Sequence, residues 1–223
     1  QYGCETKILA QLEIQYADGT KDTVATDSSW LWSNDGSVRF ADNKDGEIVD
    51  ANKKPTYSSR AKETSYAVAP SASNNVPIAE KETFKGKMAT TPSGKKIIDF
   101  KQNFAGYVSF KINAKKGQKI TLRFGEMLDD NGELTLKNIQ CSNKKITTPL
   151  QTIKYTCKDG VNEYKPNFAI FGFTYMEIDT DIEVAADDFT AIAIYSDSYD
   201  GYLPQNANPA WMSYGFATYI RVG

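Results

Sequence analysis

Apolar residues recur at every second position through residues 95–128. Ile98, Phe100, Phe104, Val108, Phe110 and Ile112 fall on one parity, and Ile120, Leu122, Phe124 and Leu128 continue it. Asp99, Lys101, Asn103, Ser109, Lys111, Thr121 and Arg123 occupy the other. A period of two sends alternate side chains to opposite faces of a pleated strand, so one face meets a core and the other meets water. Residues 113–118, with Lys115, Lys116 and Gly117, interrupt the alternation and supply a turn between two strands. Gln102 and Glu126 break the rule by standing on the apolar parity. A buried polar group must be hydrogen-bonded or paired, so both are read first as satisfied core groups, and second as the lining of a polar site.

The same logic runs along the rest of the chain. Ile8, Ala10, Leu12, Ile14 and Tyr16 alternate with polar neighbours, Asp18-Gly19 makes a turn and residues 23–26 return, which is a hairpin signature. Short strands are expected around 30–32 and 38–40, followed by an acid- and amide-rich loop up to residue 50. Residues 51–76 hold Pro55, Pro70 and a Ser/Ala/Asn cluster, and read as an irregular edge and an interdomain crossing. From Pro77 onward strands are expected at 83–90, 96–104, 107–113, 119–128, 148–157, 167–178 and 189–195. Turn signals at 92–94, 129–132 and 158–160 separate them. Many short strands without amphipathic helices predict an all-β protein of antiparallel sandwich or jelly-roll type. Three regions follow: 1–76, 77–197 and an irregular tail, 198–223.

Composition narrows the chemistry. The 26 basic and 28 acidic residues nearly cancel, so nothing points to nucleic acid or an anionic membrane. No apolar run approaches the ~20 residues of a membrane-spanning helix, and no signal-peptide pattern is present. Histidine is absent, which removes Ser-His-Asp catalysis and His-ligated zinc. Catalysis would fall to carboxylates, Tyr or Lys, and any metal would be held by oxygen, as calcium or magnesium are. Cys4, Cys141 and Cys157 form no disulfide framework; Cys141 and Cys157 are read as buried free thiols, with pairing as the alternative.

Four constellations could carry function. Asp42, Asn43, Asp45, Glu47 and Asp50 place five oxygen-bearing side chains around Gly46, either as a hard-cation site or as a solvated acidic turn. Trp30 and Trp32 share one side of a strand; they are core if buried and a sugar-stacking face if exposed. Asp129, Asp130, Asn131 and Glu133 surround Gly132 and read as a β-turn rather than a metal loop. Glu126 with Glu177, or with Asp99, could imitate a glycosidase pair, which needs carboxylates roughly 5–10 Å apart; a structural role for each is the competing reading.

Several segments together resemble the N-terminal part of bacterial α-L-rhamnosidases, glycoside hydrolase family 78. They are LAQLEIQYADGTKDTVATDSSWLW from Leu9, RFADNKDGEIVDA from Arg39, IDFKQNFAGY from Ile98, LRFGE from Leu122 with Asn131 to Glu133, and FGFTYME from Phe171. They follow the family's order over about residues 8–197. Lys101 departs from it where a glycine is usual, as does Phe171 where a histidine is often found. The resemblance implies a sugar-binding jelly roll ending near residue 76 and a concanavalin-like sandwich from 77 to 197. It also implies that the family's catalytic residues, on a following α/α barrel, map onto nothing here. By the same resemblance Asp42-Asn43 would hold rhamnose through a calcium ion, with Asn74, Asn75 and Pro77 as weaker candidates for a second wall. Pro209-Ala210-Trp211 and Ser213-Tyr214 in the tail loosely resemble a region upstream of the Leu9 hairpin, so a tail that completes the first sheet is one arrangement it allows. The expected function is therefore carbohydrate binding, secreted or periplasmic, beside a missing catalytic domain. A small glycoside hydrolase using sandwich carboxylates and a purely structural spacer remain as alternatives.

Overall fold

The computed structural model describes residues 7–65, 78–143 and 146–196. Its first strands are β1 (Gln11–Gln15), β2 (Lys21–Ala25), β3 (Leu31–Trp32), β4 (Val38–Asp42), β5 (Gly46–Asp50) and β6 (Ser59–Arg60). Next come β7 (Ile78–Phe84), β8 (Lys87–Thr90), β9 (Lys96–Ala114), β10 (Lys119–Gly125), β11 (Met127–Leu128) and β12 (Leu134–Thr135). The last six are β13 (Cys141–Asn143), β14 (Ile146–Thr148), β15 (Thr152–Thr156), β16 (Gly160–Tyr164), β17 (Phe171–Thr180) and β18 (Phe189–Ser196). Among the described residues the one helical element is a short 3-10 turn, Ala186–Asp188. The chain is all-β.

It divides into two compact units, Gln1–Gly36 with Pro55–Ser73, and Ser37–Lys54 with Asn74–Gly223. In the first, β1 and β2 pair antiparallel with Leu12 opposite Val24. Their turn is set by Asp18, whose Oδ1 accepts the Thr20 N–H at 2.9 Å, and by Gly19 at φ 88°. Strands β3 and β6 form a second ribbon, Leu31 opposite Arg60 and Trp32 opposite Ser59.

The larger unit is built on a ten-stranded sheet in the order β4-β5-β15-β10-β17-β9-β18-β7, with β8 and β16 also paired to β9. Strand β9 organises it. Its first residues pair with β8 on one side and β17 on the other, and its last with β18 and β16. The sheet therefore curls along β9, and the Phe110 ring meets those of Tyr155 and Tyr164 at 5.2 and 5.6 Å. The alternating set does form the core: Ile98, Phe100, Val108, Phe110, Ile112, Ile120, Leu122 and Phe124 are all buried. Each such side chain contributes roughly 1.5–3 kcal/mol on leaving water.

Several expectations are corrected. Residues 96–114 form one strand rather than two, and Gln102 is exposed rather than inward. Both follow from Lys101, whose φ of 65° bends the strand close to where β17 shifts register between Phe173 and Tyr175. Glycine reaches that backbone region without steric cost, which explains why a lysine there stands out; Lys101 N–H and Nζ are held by Asp99 at 2.7 and 2.6 Å. The acid-rich stretch up to Asp50 is not a loop: β4 and β5 make a hairpin, and β5 joins the larger unit by parallel pairing with β15. Residues 37–54 thus lie in the same compact unit as the larger sheet. Cys157 is buried, as expected, but Cys141 is exposed and both are free thiols.

Gly46 is what lets β5 approach β15. Its φ is 113°, and a Cβ there would stand 1.9 Å from the Thr152 carbonyl oxygen. Gly46→Ala is expected to cost roughly 2–4 kcal/mol, overpacking and backbone strain together. Urea unfolding measures it; an unshifted midpoint would show that β5 is free to move away.

Candidate functional site

The β4–β5 turn is held from within and from beneath. Asp42 Oδ1 accepts the N–H groups of Lys44 and Asp45 at 2.8 and 2.9 Å, a side-chain turn of the kind aspartate favours. The Asp45 N–H, followed by that of Lys44, holds the Asp42 carboxyl below its ordinary range. Asp45 Oδ1 accepts the Thr148 hydroxyl at 2.6 Å and the Leu150 N–H at 2.9 Å. The carbonyls of Asn43, Lys44 and Asp45 accept N–H groups from Ile170, Gln151 and Thr152. Asp42, Asn43 and Lys44 themselves remain exposed.

Glu47 is fully buried. Its Oε1 accepts three successive backbone N–H groups, from Asn167, Phe168 and Ala169, at 2.8, 2.7 and 3.0 Å. Its Oε2 accepts the Tyr164 hydroxyl at 2.6 Å. Burial first, and then this carboxylate, push the Tyr164 hydroxyl well above its ordinary pKa. Gln151, also buried, donates to the Phe124 and Gly172 carbonyls at 3.0 and 3.2 Å. Its role has no counterpart in the alternation pattern, because a single glutamine after Pro149-Leu150 carries no period.

The five-residue constellation is spread along the β4–β5 hairpin. Among the described residues no group of three or more acidic side chains is placed to hold a metal. Asp45 and Glu47 are engaged by protein donors, and Asp50 Oδ1 accepts the Asn52 backbone and side-chain N–H groups at 3.0 and 2.9 Å. Asp50 closes the far end of β5, about 13 Å from Gly46 at the strand's rise per residue. Of the five, the exposed pair Asp42 and Asn43 is what remains to meet a ligand.

Trp30 and Trp32 are 41% and 51% exposed, so the reading of them as core is corrected. Asn74, Asn75 and Pro77 lie outside the described residues. The Asp129 segment is the expected turn: Asp129 Oδ1 accepts the N–H groups of Asn131 and Glu133, and Glu133 reaches Ser93. Glu177 is buried on the outward face of the sheet, where Arg123 Nη2 and Lys95 Nζ lie 3.1 and 3.2 Å from its oxygens. Both carboxylate oxygens are thus engaged in ion pairs. Glu126 is neither fully buried nor in a strand. It sits in a bend after β10, and Asn138 Nδ2 donates to it at 2.7 Å, so the expectation of a buried, charge-paired Glu126 is corrected. Asp99 is occupied by Lys101.

The fold defines a β-sandwich protein with a curled concanavalin-like sheet. Residues 89–195 match the bacterial α-L-rhamnosidase concanavalin-like domain, and residues 1–90 match the α-L-rhamnosidase N-terminal domain. The chain belongs to the α-L-rhamnosidase family, in this N-terminal region. It is 30% identical over 196 residues to the α-L-rhamnosidase of Streptomyces avermitilis, covering 80% of this chain and 18% of that one. With that of Alteromonas sp. (strain LOR) it is 31% identical over 185 residues, covering 77% and 19%. The chain thus spans about a fifth of the length of these curated relatives. The solved S. avermitilis enzyme, complexed with L-rhamnose, superposes with a TM-score of 0.73 at 24% identity over 86% of this chain and 19% of that one. The native Aspergillus terreus enzyme superposes at 0.70 and 24%, over 85% and 23%.

Two measurements follow from this geometry. Glu47→Ala strips four donors of their acceptor, and unfolding should report a loss of about 3–5 kcal/mol, whereas Glu126→Ala, losing one hydrogen bond, should cost about 1 kcal/mol. Equal losses would invert the assignment. Asp42's folded pKa lies below its unfolded one, so its contribution is complete above the ordinary carboxylate range and lost as pH falls through the lower value. Stability against pH should therefore lose part of its acid limb in Asp42→Asn; superimposable curves would show that the turn does not depend on the ionised group.

Proposed function

We propose that this chain is a non-catalytic, carbohydrate-binding accessory part of an α-L-rhamnosidase-like protein. Its ligands are rhamnose-containing, plant-type glycans, met at Asp42-Asn43, and it works outside the cell or in the periplasm beside a catalytic domain. The observation that carries this reading is the construction of the β4–β5 turn. Asp45 and Glu47 spend their carboxylates on protein donors beneath it, while Asp42 and Asn43 stay exposed above. Pre-organised polar groups lose little entropy when they bind. The hydrogen bonds Asp42 accepts among the described residues fall on Oδ1, so Oδ2 can accept a sugar hydroxyl while Asn43 both donates and accepts. The family membership, and the relative solved with L-rhamnose, support the ligand class. A calcium ion at the exposed Asp42-Asn43 end of the turn assists by meeting vicinal sugar hydroxyls.

Calorimetric titration with L-rhamnose and a rhamnose-containing oligosaccharide tests this. Binding is expected in calcium, and is weakened by EDTA and lost in Asp42→Ala and Asn43→Ala. No turnover of nitrophenyl α-L-rhamnoside is expected. Binding that survives both chelation and the mutations would place the site elsewhere, turnover lost in Glu126→Gln would promote the small hydrolase, and no binding under any condition would leave a structural spacer.

A further inference from the structure

The strand register around Asp42 places a second kind of chemistry beside it. Phe40 precedes Asp42 by two residues in β4, so the two share one face of the sheet. Phe40 lies directly across from Ile48, and Asp42 from Gly46. On the next strand Lys154 is the partner of Ile48, and Thr152 of Gly46. Glu47 and Val49, on either side of Ile48 in sequence, are buried, so Ile48 faces outward. Phe40 and Ile48 are 46% and 41% exposed, and β4 ends the strand order of the sheet, so nothing in the sheet flanks the Phe40 ring on its outer side.

We propose that Phe40, with Ile48 beside it, is a stacking platform for the apolar face of a pyranose ring whose hydroxyls are met by Asp42, Thr152 and Lys154. The inference rests on the carbohydrate-binding reading above and adds the residue that supplies its apolar contact. Sugar rings present patches of C–H between hydroxyls, and an aromatic side chain offers them a flat apolar surface with little side-chain entropy to lose. The surrounding set, one ionised acceptor, one hydroxyl and one ammonium group within two adjacent rows of the sheet, matches a neutral polyol. Scale excludes a protein partner for this patch alone. Two half-exposed side chains offer on the order of 150 Å² of apolar surface, against the roughly 800 Å² per partner of a stable protein interface.

The test titrates methyl α-L-rhamnoside and a rhamnose-containing disaccharide into the parent, Phe40→Ala, Phe40→Trp and Asp42→Ala, with thermal unfolding as the control for folding. Proton NMR reads the sugar's ring hydrogens in parallel. Phe40→Ala is expected to weaken binding about fivefold or more, and Phe40→Trp to preserve it. An upfield ring-current shift of the sugar C–H signals should appear with the parent and Phe40→Trp and vanish with Phe40→Ala. Unchanged affinity and unchanged sugar shifts in Phe40→Ala, with binding lost in Asp42→Ala, would overturn the platform and leave the carbohydrate-binding reading intact. A parent that binds neither sugar would overturn both.

Discussion

Everything in the larger unit depends on one strand having four neighbours. Strand β9 hydrogen-bonds β8 and β17 along its first part and β18 and β16 along its last. To do so it must bend without leaving the ladder, and the bend is concentrated at Lys101, in a backbone region that L-residues enter at a cost. The return is a continuous inner face on which Phe100, Phe104 and Phe173 pack as tilted or edge-on rings 4.6 to 6.3 Å apart. Such geometries satisfy the ring quadrupoles as well as removing apolar area from water.

A second constraint operates at the edge of the sheet. Strand β5 enters by parallel pairing, the less common and slightly weaker arrangement, and it is secured by polar groups rather than by apolar bulk. Glu47 gathers the backbone of residues 167–169, Asp45 gathers Thr148 and Leu150, and Gly46 removes the one Cβ that would keep the strands apart. A buried carboxylate is costly unless its oxygens are met, and Glu47 is met four times. With the acids below the turn satisfied by the protein, the two residues above it are held still and turned outward.

The same accounting applies to the other acids of the sandwich. Glu177 lies within an ion-pair cluster with Arg123 and Lys95, Asp99 holds the Lys101 bend, and Glu126 ties the segment after β10 to Asn138. Each acid that could be paired on paper has a local structural task. Phe40, Asp42 and Asn43, by contrast, set an exposed apolar ring beside exposed polar groups on one hairpin.

The core was legible without coordinates, because which face a strand residue occupies is decided by its immediate neighbours. The alternation from Ile98 to Phe124 named buried residues correctly, and the turns at Asp18-Gly19 and around Gly132 were equally local. Gln102 and Glu126 were misplaced for the complementary reason: a period extrapolated through a positive φ or a strand end assigns a face to a residue that no longer has one. The acid-rich stretch up to Asp50 failed more deeply. Read locally, five oxygen-bearing side chains in nine residues resemble a metal loop; in the fold they are spread along a hairpin, and Asp45 and Glu47 are answered by donors more than 100 residues away. Local periodicity determined what is inside. Only the tertiary structure decided which carboxylates were consumed and which stayed available, because that depends on partners the chain brings together from afar.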